Sequence, residues 1–526
     1  MQAITTGLVF VTVLVALTPN LWNRPSPISG VITSHLEPSL RSVLDREAEE
    51  LQNSLLPRAS TETCRAKIIR LAEFLRRRFS RRFARHAYAE EHCPISNSVE
   101  SSEHQTASFD ASPLPFMCGA TLAFLVELTP NANRKQLGRL LKRIVRAKHV
   151  YLFHIDSKPD PGATAVASLA EYVKSIVNDA GAFVRVRASN VVYMGQTLLR
   201  AQLLALHDLL NADVPRWDFV INLSGSDYPI RSPEFMARLL AHKGARSYME
   251  SFLQVPLNGN GRDLWGWFVE CEDEPCPADL DPMTCQGYVF AVGKRKKPPL
   301  SAVREFGGSA FWVLNRDFVE FVWGCFNGFH SLGVDERDDL PAVSELLSMA
   351  TASSEVPDHS ERPGIGNGTD EADASYCRSV RGVYQWMATA FDPAELFLHT
   401  VLHNGPFCTK VGLGNLHWVS WDSRIGDQQC NHAVQSSDYI GHRRPGCISA
   451  DMLRSNAWGV EELGLGCKET TTGGRRNCSA MYHPLMARKF SIEQPRYAMS
   501  LDVADAASAS WDAELENGLL TCAVRR

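Results

Sequence analysis

An acidic side chain near the start of a predicted helix is the first candidate for chemistry in this chain. Glu395 follows an Asp-Pro pair and precedes a Leu-Phe-Leu run. Apolar neighbours raise the pKa of a carboxyl group, which suits it to accept a proton from a substrate. The sequence therefore predicts a general base at Glu395. The alternative is a carboxylate that only stabilises the positive end of a helix dipole.

Polar side chains also follow two predicted strands. Asp156 comes after the apolar run VYLFHI, and Asp227 and Tyr228 lie in a polar loop, SGSDY, after WDFVINL. Ligands of open α/β sheets collect at the carboxyl ends of the strands, so these side chains are candidates for binding hydroxyl groups. The alternative is that each aspartate caps the next turn.

Two tryptophans and a histidine are further candidates. Trp312 and Trp421 could stack on a sugar or a base, although tryptophan in apolar runs is more often a core residue. His399 lies one helical turn after Glu395 and could orient it. The alternative for His399 is a buried histidine whose hydrogen bonds are satisfied within the core.

Alternating strands and helices must position these residues. Strands are predicted at 120–128, 150–155 and 217–223, and helices at 134–147 and 196–211. This alternation is typical of a layered α/β domain with one sheet.

Composition and missing motifs exclude several classes of protein. The 526 residues, 44% of them hydrophobic, suffice for a large core, and the net charge of −5 gives no overall case for nucleic-acid binding. The chain has no GxSxG, HExxH, Walker or GxGxxG motif, which argues against common hydrolases and nucleotide folds. Asp279 and Asp281 form a DxD, but they lie in a Pro- and Cys-rich loop, which favours a surface turn over a metal site.

The first 115 residues are distinct from the α/β part. Residues 1–21 are predicted to be a signal peptide or signal anchor, and residues 22–115 a stem that contains the basic helical run 65–85. That helix could lie on an anionic surface, or it could pack one face on the following domain. Fourteen cysteines downstream of a signal-like segment favour an oxidising lumen and disulfides of undetermined pairing. Sequons occur at Asn222, in an apolar run where use is not expected, and at Asn367 and Asn477.

Four segments, in order along the chain, resemble glycosyltransferase family 14. They are FVINLSGSDYPIRSPEFM at 219–236, GGSAFWVLNRDFVEFVWG at 307–324, DPAELFLHTVLHNGPFC at 392–408 and LGNLHWVSWDSRIG at 413–426. With flanking strands, the resemblance covers about 117–490. The Cys- and His-containing run at 426–453 resembles the peptide O-xylosyltransferases of that family. Ala310, where animal xylosyltransferases have Asp, and the segments FVWG and NLHWVSWD resemble the plant β-glucuronosyltransferases instead.

The resemblance implies roles for individual residues. Glu395 matches the family's catalytic base, and Asp156 its acidic contact to the nucleoside. Val126 and Arg134 lie where contacts to uracil and ribose are expected. Arg424 matches the remaining member of an Arg-Lys pair that stabilises the leaving diphosphate in animal xylosyltransferases.

The other site residues follow from their positions in the same segments. Asp227 and Trp421 complete the predicted donor site, and Tyr228 and Trp312 are assigned to the acceptor. Lys410 or an arginine of the 443–444 pair could supply the missing cation. No metal site and no cofactor are expected, because the family uses basic side chains with a UDP-sugar co-substrate.

The resemblance implies an α/β, GT-A-like (Rossmann-type) glycosyltransferase fold with a mixed central sheet, over residues 116–490. Residues 355–375 are predicted to be a mobile insertion, and residues 491–526 a tail. The expected function is inverting transfer from a UDP-sugar to a hydroxyl, with xylose and a protein serine as first candidates. β-Glucuronosyl or N-acetylglucosaminyl transfer to a glycan, and a non-catalytic lectin-like or scaffold protein, are the alternatives. The expected location is the Golgi or endoplasmic reticulum membrane, as a single-pass type II protein with a luminal catalytic domain.

Overall fold

The strands and helices of this chain build a mixed α/β domain around a central sheet. The structure is a computed structural model, and it describes residues 46, 49, 52–53, 56–78, 119–157, 162–253, 266–272, 288–294, 303–327, 341–352, 371–412, 414–419, 485–488 and 501–505. The helices are α1 Glu62–Arg78, α2 Arg134–Ile144, α3 Gly162–Asp179, α4 Gln196–Leu209, α5 Pro233–Lys243, α6 Arg316–Asn327, α7 Pro341–Ala352, α8 Glu371–Met387 and α9 Phe397–Asn404, with a 3-10 turn at Pro393–Glu395. The strands are β1 Leu122–Leu128, β2 Val150–Asp156, β3 Phe183–Ser189, β4 Phe219–Ser224, β5 Asp227–Pro229, β6 Ser247–Tyr248, β7 Ser251–Leu253, β8 Gly266–Cys271, β9 Tyr288–Lys294, β10 Phe306–Gly308, β11 Val313–Asn315, β12 Val411–Gly412, β13 His417–Val419 and β14 Met486–Arg488.

Within the described residues the central sheet has seven strands in the order β12-β6-β11-β4-β1-β2-β3. Strands β1 to β4 are parallel, and β11 runs antiparallel to both β4 and β6. The chain leaves β1 in one direction for β2 and β3, and β4 lies on the other side of β1. The strand order therefore reverses between β1 and β4, where open α/β sheets form a crevice.

Apolar residues on both faces bury the central strands. Strand β1 reads LAFLVEL and β2 reads VYLFHID. Alternate residues of β1 enter opposite cores, Ala123 and Leu125 one and Phe124 and Val126 the other. This double burial is what parallel strands covered by helices on both sides require.

Helix α1 packs one face on the α/β domain. Its residues at one-turn spacing, Cys64, Ile68 and Ala72, are buried. Cys64 forms a disulfide with Cys271 at the end of β8, and the Lys67 ammonium lies 3.1 Å from a Glu272 carboxylate oxygen. Of the two interpretations of the basic run, the packed helix is thus the one the structure shows for 62–78.

The mixed α/β class and the main elements predicted from the sequence are confirmed. One local prediction is wrong in part: of the predicted loop 224–228, Asp227 and Tyr228 belong to strand β5, which pairs antiparallel with β14, with Tyr228 opposite Ala487. The predicted insertion 355–375 lies outside the described residues up to 370, and residues 371–375 begin α8.

The apolar segment at 1–21 lies outside the described residues. Among the helices that the structure describes, none is both long and apolar enough to cross a membrane.

Candidate active site

A polar row crosses the carboxyl ends of the four parallel strands on one face of the sheet. In register, Ser224 of β4 lies beside Glu127 of β1, Glu127 beside His154 of β2, and His154 beside Arg187 of β3. Two residues earlier on β1 and β2 the same face is apolar, with Leu125 and Leu152 in the core. The change from apolar to polar side chains marks the crevice at the point where the strand order reverses.

Helix α4 covers this row with complementary groups. Gln202 Nε2 donates to Glu127 Oε1 at 2.8 Å. The Arg187 guanidinium donates two hydrogen bonds, of 2.7 and 3.0 Å, to the Asp208 carboxylate, and both side chains are buried. Burial, aided by the Arg187 charge, lowers the pKa of His154 to about 4, so this imidazole is neutral near pH 7.

Asp156 lies one step beyond the polar row, at the end of β2. Its Oδ1 accepts a hydrogen bond of 3.1 Å from the Val191 amide in the loop between β3 and α4. The Ser157 amide donates to the Ser189 carbonyl at 3.0 Å, which extends the pairing of these two strand ends. Asp156 thereby fixes the start of the loop 190–195.

The other end of the same loop holds the turn that carries Glu395. The Asp392 amide donates to the Met194 carbonyl at 2.9 Å, and the Glu395 amide donates to the Asp392 carbonyl at 2.9 Å. The loop 190–195 therefore holds both predicted residues. Its Val191 amide binds Asp156, and its Met194 carbonyl binds the turn that carries Glu395. The structure brings these two predicted site residues to a common region at the carboxyl edge of the sheet.

Glu395 is the half-buried residue of an otherwise buried stretch, 391–400. It ends the 3-10 turn Pro393–Glu395 rather than starting α9, which begins two residues later. Glu395 is thus partly exposed, while its neighbours Leu396, Phe397 and Leu398 are buried. An accessible carboxylate with apolar neighbours is a suitable proton acceptor.

His399 does not orient Glu395. Its Nδ1 lies 2.7 Å from Ser251 Oγ, and its Nε2 lies 3.0 Å from the Ser309 carbonyl oxygen. Burial lowers the pKa of His399 to about 4. The side chain is fully buried, so the alternative interpretation, a satisfied core histidine, is the one the structure shows.

Trp312 is fully buried in the core on the α4 side of the sheet. Its backbone is held by Asn222 of β4, whose Oδ1 accepts from the Trp312 amide at 3.0 Å and whose Nδ2 donates to the Ala310 carbonyl at 3.1 Å. This placement favours the core role for Trp312 over stacking on an acceptor. Asn222 itself is 0% exposed, so its sequon is closed to modification in the folded chain.

Asp227 and Tyr228 lie on the far side of the crevice from Asp156. Asp227 Oδ2 accepts from the Ser224 amide at 2.5 Å, which closes the turn after β4. The Tyr228 hydroxyl donates to Asp505 Oδ1 at 2.6 Å, in a cluster with Arg139. Asp227 therefore has a turn-capping role as well as its predicted place at the strand ends, and Tyr228 joins β5 to the helical residues 501–505.

Of the two predicted donor contacts Val126 and Arg134, the first is buried and the second is exposed. Val126 is 0% exposed within the sheet core. Arg134 begins α2 at the carboxyl edge; its guanidinium donates to Ser168 Oγ at 2.6 Å and lies 5.6 Å from the Tyr172 ring centre. As placed, the Arg134 side chain contacts α3.

The predicted diphosphate residues Trp421 and Arg424 lie outside the described residues, as do Arg443 and Arg444. Lys410 is described. Its carbonyl accepts from the Ser247 amide at the start of β6, and its ammonium lies 5.1 Å from the Phe407 ring centre. Because β6 is parallel to β4, its start lies at the amino edge of the sheet, away from Asp156. This position does not favour Lys410 as the missing cation.

Sequence reasoning missed four polar residues of this edge: Glu127, His154, Asn222 and Glu250. Glu127, His154 and Asn222 each interrupt an apolar strand near its carboxyl end. A single polar residue in an apolar run was the signal that could have identified them. Glu250 follows β6 at the same edge. Desolvation by the surrounding segment raises the pKa of its carboxyl, although part of its side chain reaches solvent.

In the part of the chain that the structure describes, no three His, Cys, Asp or Glu side chains come together in a way that could hold a metal ion. Asp279 and Asp281 lie outside that part.

Comparison with known proteins agrees with the resemblance seen in the motifs. The family model for the Core-2/I-branching enzyme matches residues 122–325. Mouse xylosyltransferase 2 is 26% identical over 318 residues, dog xylosyltransferase 1 is 25% identical over 342 residues, and the Drosophila melanogaster xylosyltransferase oxt is 26% identical over 314 residues. These alignments cover 60%, 64% and 60% of this chain, and each spans 28% of the relative's own length.

A solved structure of a putative glucose-1-phosphate thymidylyltransferase from Bacillus anthracis aligns with 44% of this chain and 84% of its own, at 8% identity. Its TM-score of 0.19 is too low to bear on the fold. The matched family segment contains β1 to β4, the polar row and Asp156, and it ends within α6, before the Glu395 turn. Residues 122–325 therefore resemble the Core-2/I-branching enzyme family, glycosyltransferase family 14, and the chain is similar to animal xylosyltransferases.

Proposed function

We propose that this chain is an inverting glycosyltransferase that moves a sugar from a UDP-sugar to a hydroxyl acceptor, with Glu395 as the base. One observation carries the proposal: loop 191–194 holds both Asp156, through the Val191 amide, and the Glu395 turn, through the Met194 carbonyl. A nucleoside contact and a base fixed to one loop suit a reaction between a nucleotide-bound sugar and a second substrate.

In this proposal the acceptor oxygen attacks the anomeric carbon from the face opposite the diphosphate. The O–H proton passes to the Glu395 carboxylate, a bond forms between the acceptor oxygen and the anomeric carbon, and the bond to the diphosphate oxygen breaks. UDP leaves with the electron pair of that bond. The half-buried position of Glu395 at the surface of a buried segment supports access by the acceptor.

The negative charge on departing UDP needs compensation, and we assign it to side chains rather than to a metal ion. Arg424 is the proposed cation, since Lys410 lies at the amino edge of the sheet. Transfer that persists in excess chelator supports this assignment, and its loss would contradict it.

The proposed substrates are UDP-xylose and a protein serine. The mouse, dog and fly relatives are named xylosyltransferases, which supports xylose as the donor sugar. Ala310, at a position where animal xylosyltransferases have Asp, keeps glucuronate and N-acetylglucosamine as competing donors. A lectin-like or scaffold protein remains the alternative from another class.

We also propose that the chain works in the lumen of the Golgi or endoplasmic reticulum, held to the membrane by residues 1–21. The disulfides Cys64–Cys271 and Cys325–Cys377 support an oxidising compartment. Protease protection of the full-length chain in sealed microsomes tests the topology, and digestion of the catalytic part without detergent would contradict it.

A donor screen tests the reaction. UDP-xylose, UDP-glucuronate and UDP-N-acetylglucosamine are offered with Ser-Gly peptides and with oligosaccharides, and UDP release and product mass are measured. We expect xylosyl peptide from the wild-type chain and from Glu171→Gln, an exposed carboxylate on α3. Glu395→Gln should reduce turnover by about 10²–10⁴-fold while UDP binding stays intact. Transfer only to free glycans would reject the protein-serine proposal, and equal turnover by Glu395→Gln would remove this residue from the mechanism.

A further inference from the structure

A carboxylate outside the predicted site reaches the loop that joins Asp156 to the Glu395 turn. Glu270, on β8, accepts a hydrogen bond of 2.9 Å at Oε2 from the Thr197 amide in the first turn of α4. The residue before α4, Gly195, has no side chain that could cap the helix. Glu270 takes that place from 73 residues away, because a free amide at a helix start needs an acceptor.

Gly195 lets this carboxylate approach the helix start. A Cβ atom at residue 195 would lie 2.6 Å from both Cδ and Oε2 of Glu270. That separation is far below a normal contact, so any larger residue would push the carboxylate away from the Thr197 amide. The hydrogen bond from Thr197 to Glu270 therefore requires glycine at position 195.

The contact continues into the loop itself. Thr197 Oγ1 accepts a hydrogen bond of 2.7 Å from the Val192 amide, and the Gly195 amide donates to the Val192 carbonyl at 3.0 Å. Val191, the next residue toward β3, holds Asp156. The path from Glu270 to Asp156 thus runs through the Thr197 amide and hydroxyl and then through the adjacent amides of Val192 and Val191.

Strand β8 also supports the segment that leads to Glu395. The Phe268 amide donates to the Thr389 carbonyl at 3.0 Å, and the rings of Phe268 and Phe391 lie 5.0 Å apart. The next residue after Glu270, Cys271, is joined to α1 by its disulfide. Strand β8, which the Cys64–Cys271 disulfide joins to α1, therefore contacts both the start of α4 and the segment that leads to Glu395.

We propose that Glu270 is a positioning residue that sets the loop 190–197, and through it the relative placement of Asp156 and Glu395. Its effect on transfer rests on the proposed function, whereas its effect on the loop does not. Oε1 of Glu270 is buried without a hydrogen-bond partner, and burial raises the pKa of this carboxyl. A buried carboxylate with one unsatisfied oxygen is costly to keep, which is consistent with a role other than stability.

The test compares Glu270→Ala, Glu270→Gln and Gly195→Ala with Glu272→Ala in the full chain. Glu272 lies two residues after Glu270, just beyond the end of β8, and contacts Lys67 and Arg200, with no hydrogen bond to the loop. Hydrogen exchange of the amides in 190–197 reports on the loop directly. KM for the UDP-sugar and kcat report on the placement of Asp156 and Glu395.

We expect Glu270→Ala and Gly195→Ala to exchange the loop amides at least about tenfold faster, since a lost cap opens the first helical turn. The same variants should raise KM and lower kcat, together costing about tenfold to a hundredfold in kcat/KM. Glu270→Gln, which keeps an acceptor for the Thr197 amide, should restore most of both. Glu272→Ala should leave exchange and kinetics within about twofold of wild type.

Unchanged loop exchange in Glu270→Ala, or an equal increase in Glu272→Ala, would overturn the positioning role. If Glu270→Ala does not fold, Glu270→Gln and Gly195→Ala decide the same question, since wild-type exchange in Gly195→Ala would also overturn it. If the wild-type chain transfers no sugar to any acceptor, the proposed function fails, while the exchange comparison still decides the role of Glu270.

Discussion

The amide of Asp392 donates to the carbonyl of Met194, and both residues have left-handed backbone conformations, with φ of 50° and 61°. Of the described non-glycine residues, one other, Leu416, has a positive φ. Such conformations cost about 1–3 kcal/mol each and persist where the surrounding structure imposes them. Met194 and Asp392 are in direct contact and connect the loop that holds Asp156 to the turn that carries Glu395. Their strained backbones indicate that the fold maintains this connection at a cost in stability.

Substitutions at Asp392 should reveal that strain. Asp392→Val should lower the free energy of unfolding by about 2 kcal/mol, because a β-branched residue is poorly tolerated at positive φ. Asp392→Gly should stay within about 1 kcal/mol of wild type, since glycine adopts this conformation freely. Urea unfolding followed by circular dichroism measures both. Equal losses in the two variants would show that the side chain of Asp392, and not its backbone, is what matters.

Gly308 should not tolerate a side chain. A Cβ atom there would lie 1.6 Å from the Glu250 carbonyl oxygen and 2.7 Å from His399 Cε1. Gly308→Ala should therefore separate β10 from residue 250. We expect the melting temperature to fall by about 2–4 °C for each kcal/mol of unfolding free energy that is lost, which scanning calorimetry measures.

Gly138→Ala is the matched control for that substitution. Its Cβ would meet mainly the Tyr172 hydroxyl, the movable end of a side chain, at 2.5 Å. We expect a much smaller change in melting temperature. A larger loss in Gly138→Ala than in Gly308→Ala would contradict the clash with the rigid backbone.

Buried neutral histidines should make the fold sensitive to acid. Burial lowers the pKa of His149, His154 and His399 from 6.5 to about 4. Between these values the unfolded chain binds protons that the folded chain does not, so stability falls as the pH decreases from 6.5 toward 4. Each histidine contributes a slope of about 1.4 kcal/mol per pH unit in that window.

His399→Gln should reduce the slope of the unfolding free energy against pH by the contribution of one histidine, about 1.4 kcal/mol per pH unit. The variant loses stability at pH 7.5, because two hydrogen bonds of His399 are broken, but the loss relative to wild type should shrink by pH 5. Free energies of unfolding at half-unit pH steps measure the slope. A slope unchanged by His399→Gln would mean that this residue binds its proton over the same pH range in the folded and unfolded chains.

The disulfide between Cys64 and Cys271 should hold α1 against the α/β domain. The two cysteines are 207 residues apart, so the constraint on the unfolded chain is worth on the order of 5 kcal/mol in the chain-entropy model. In Cys64→Ser we expect faster cleavage within α1 by trypsin, read by mass spectrometry. Cys325→Ser, which removes the link from α6 to α8, is the control and should leave α1 protected. Equal cleavage of α1 in both variants would contradict the anchoring role.

Local pattern was enough to predict the inner sheet. The strands at 122–128, 150–156 and 219–224 and the helix at 196–209 follow from apolar runs and helical spacing, and the structure confirms them. The base candidate Glu395 followed from its Asp-Pro context and the family motif, and its turn is attached to the loop that also holds Asp156.

Long-range contacts account for what the sequence could not predict. Strand β5 forms only because β14, more than 250 residues later, pairs with it. Glu270 was not among the predicted site residues, and its contact with Thr197 depends on the approach of β8 to α4. The fully buried Trp312 and the hydrogen-bonded His399 differ from exposed residues only in tertiary packing, which a local pattern does not contain.

The pairing of β5 with β14 also constrains the order in which the chain acquires its shape during synthesis. Residues 227–229 leave the ribosome long before residues 486–488 that complete their sheet. Until then the turn after β4 has an open edge, and Tyr228 lacks Asp505, its hydrogen-bond acceptor. This edge of the crevice is thus completed only after the strands β1 to β4 have all been synthesised.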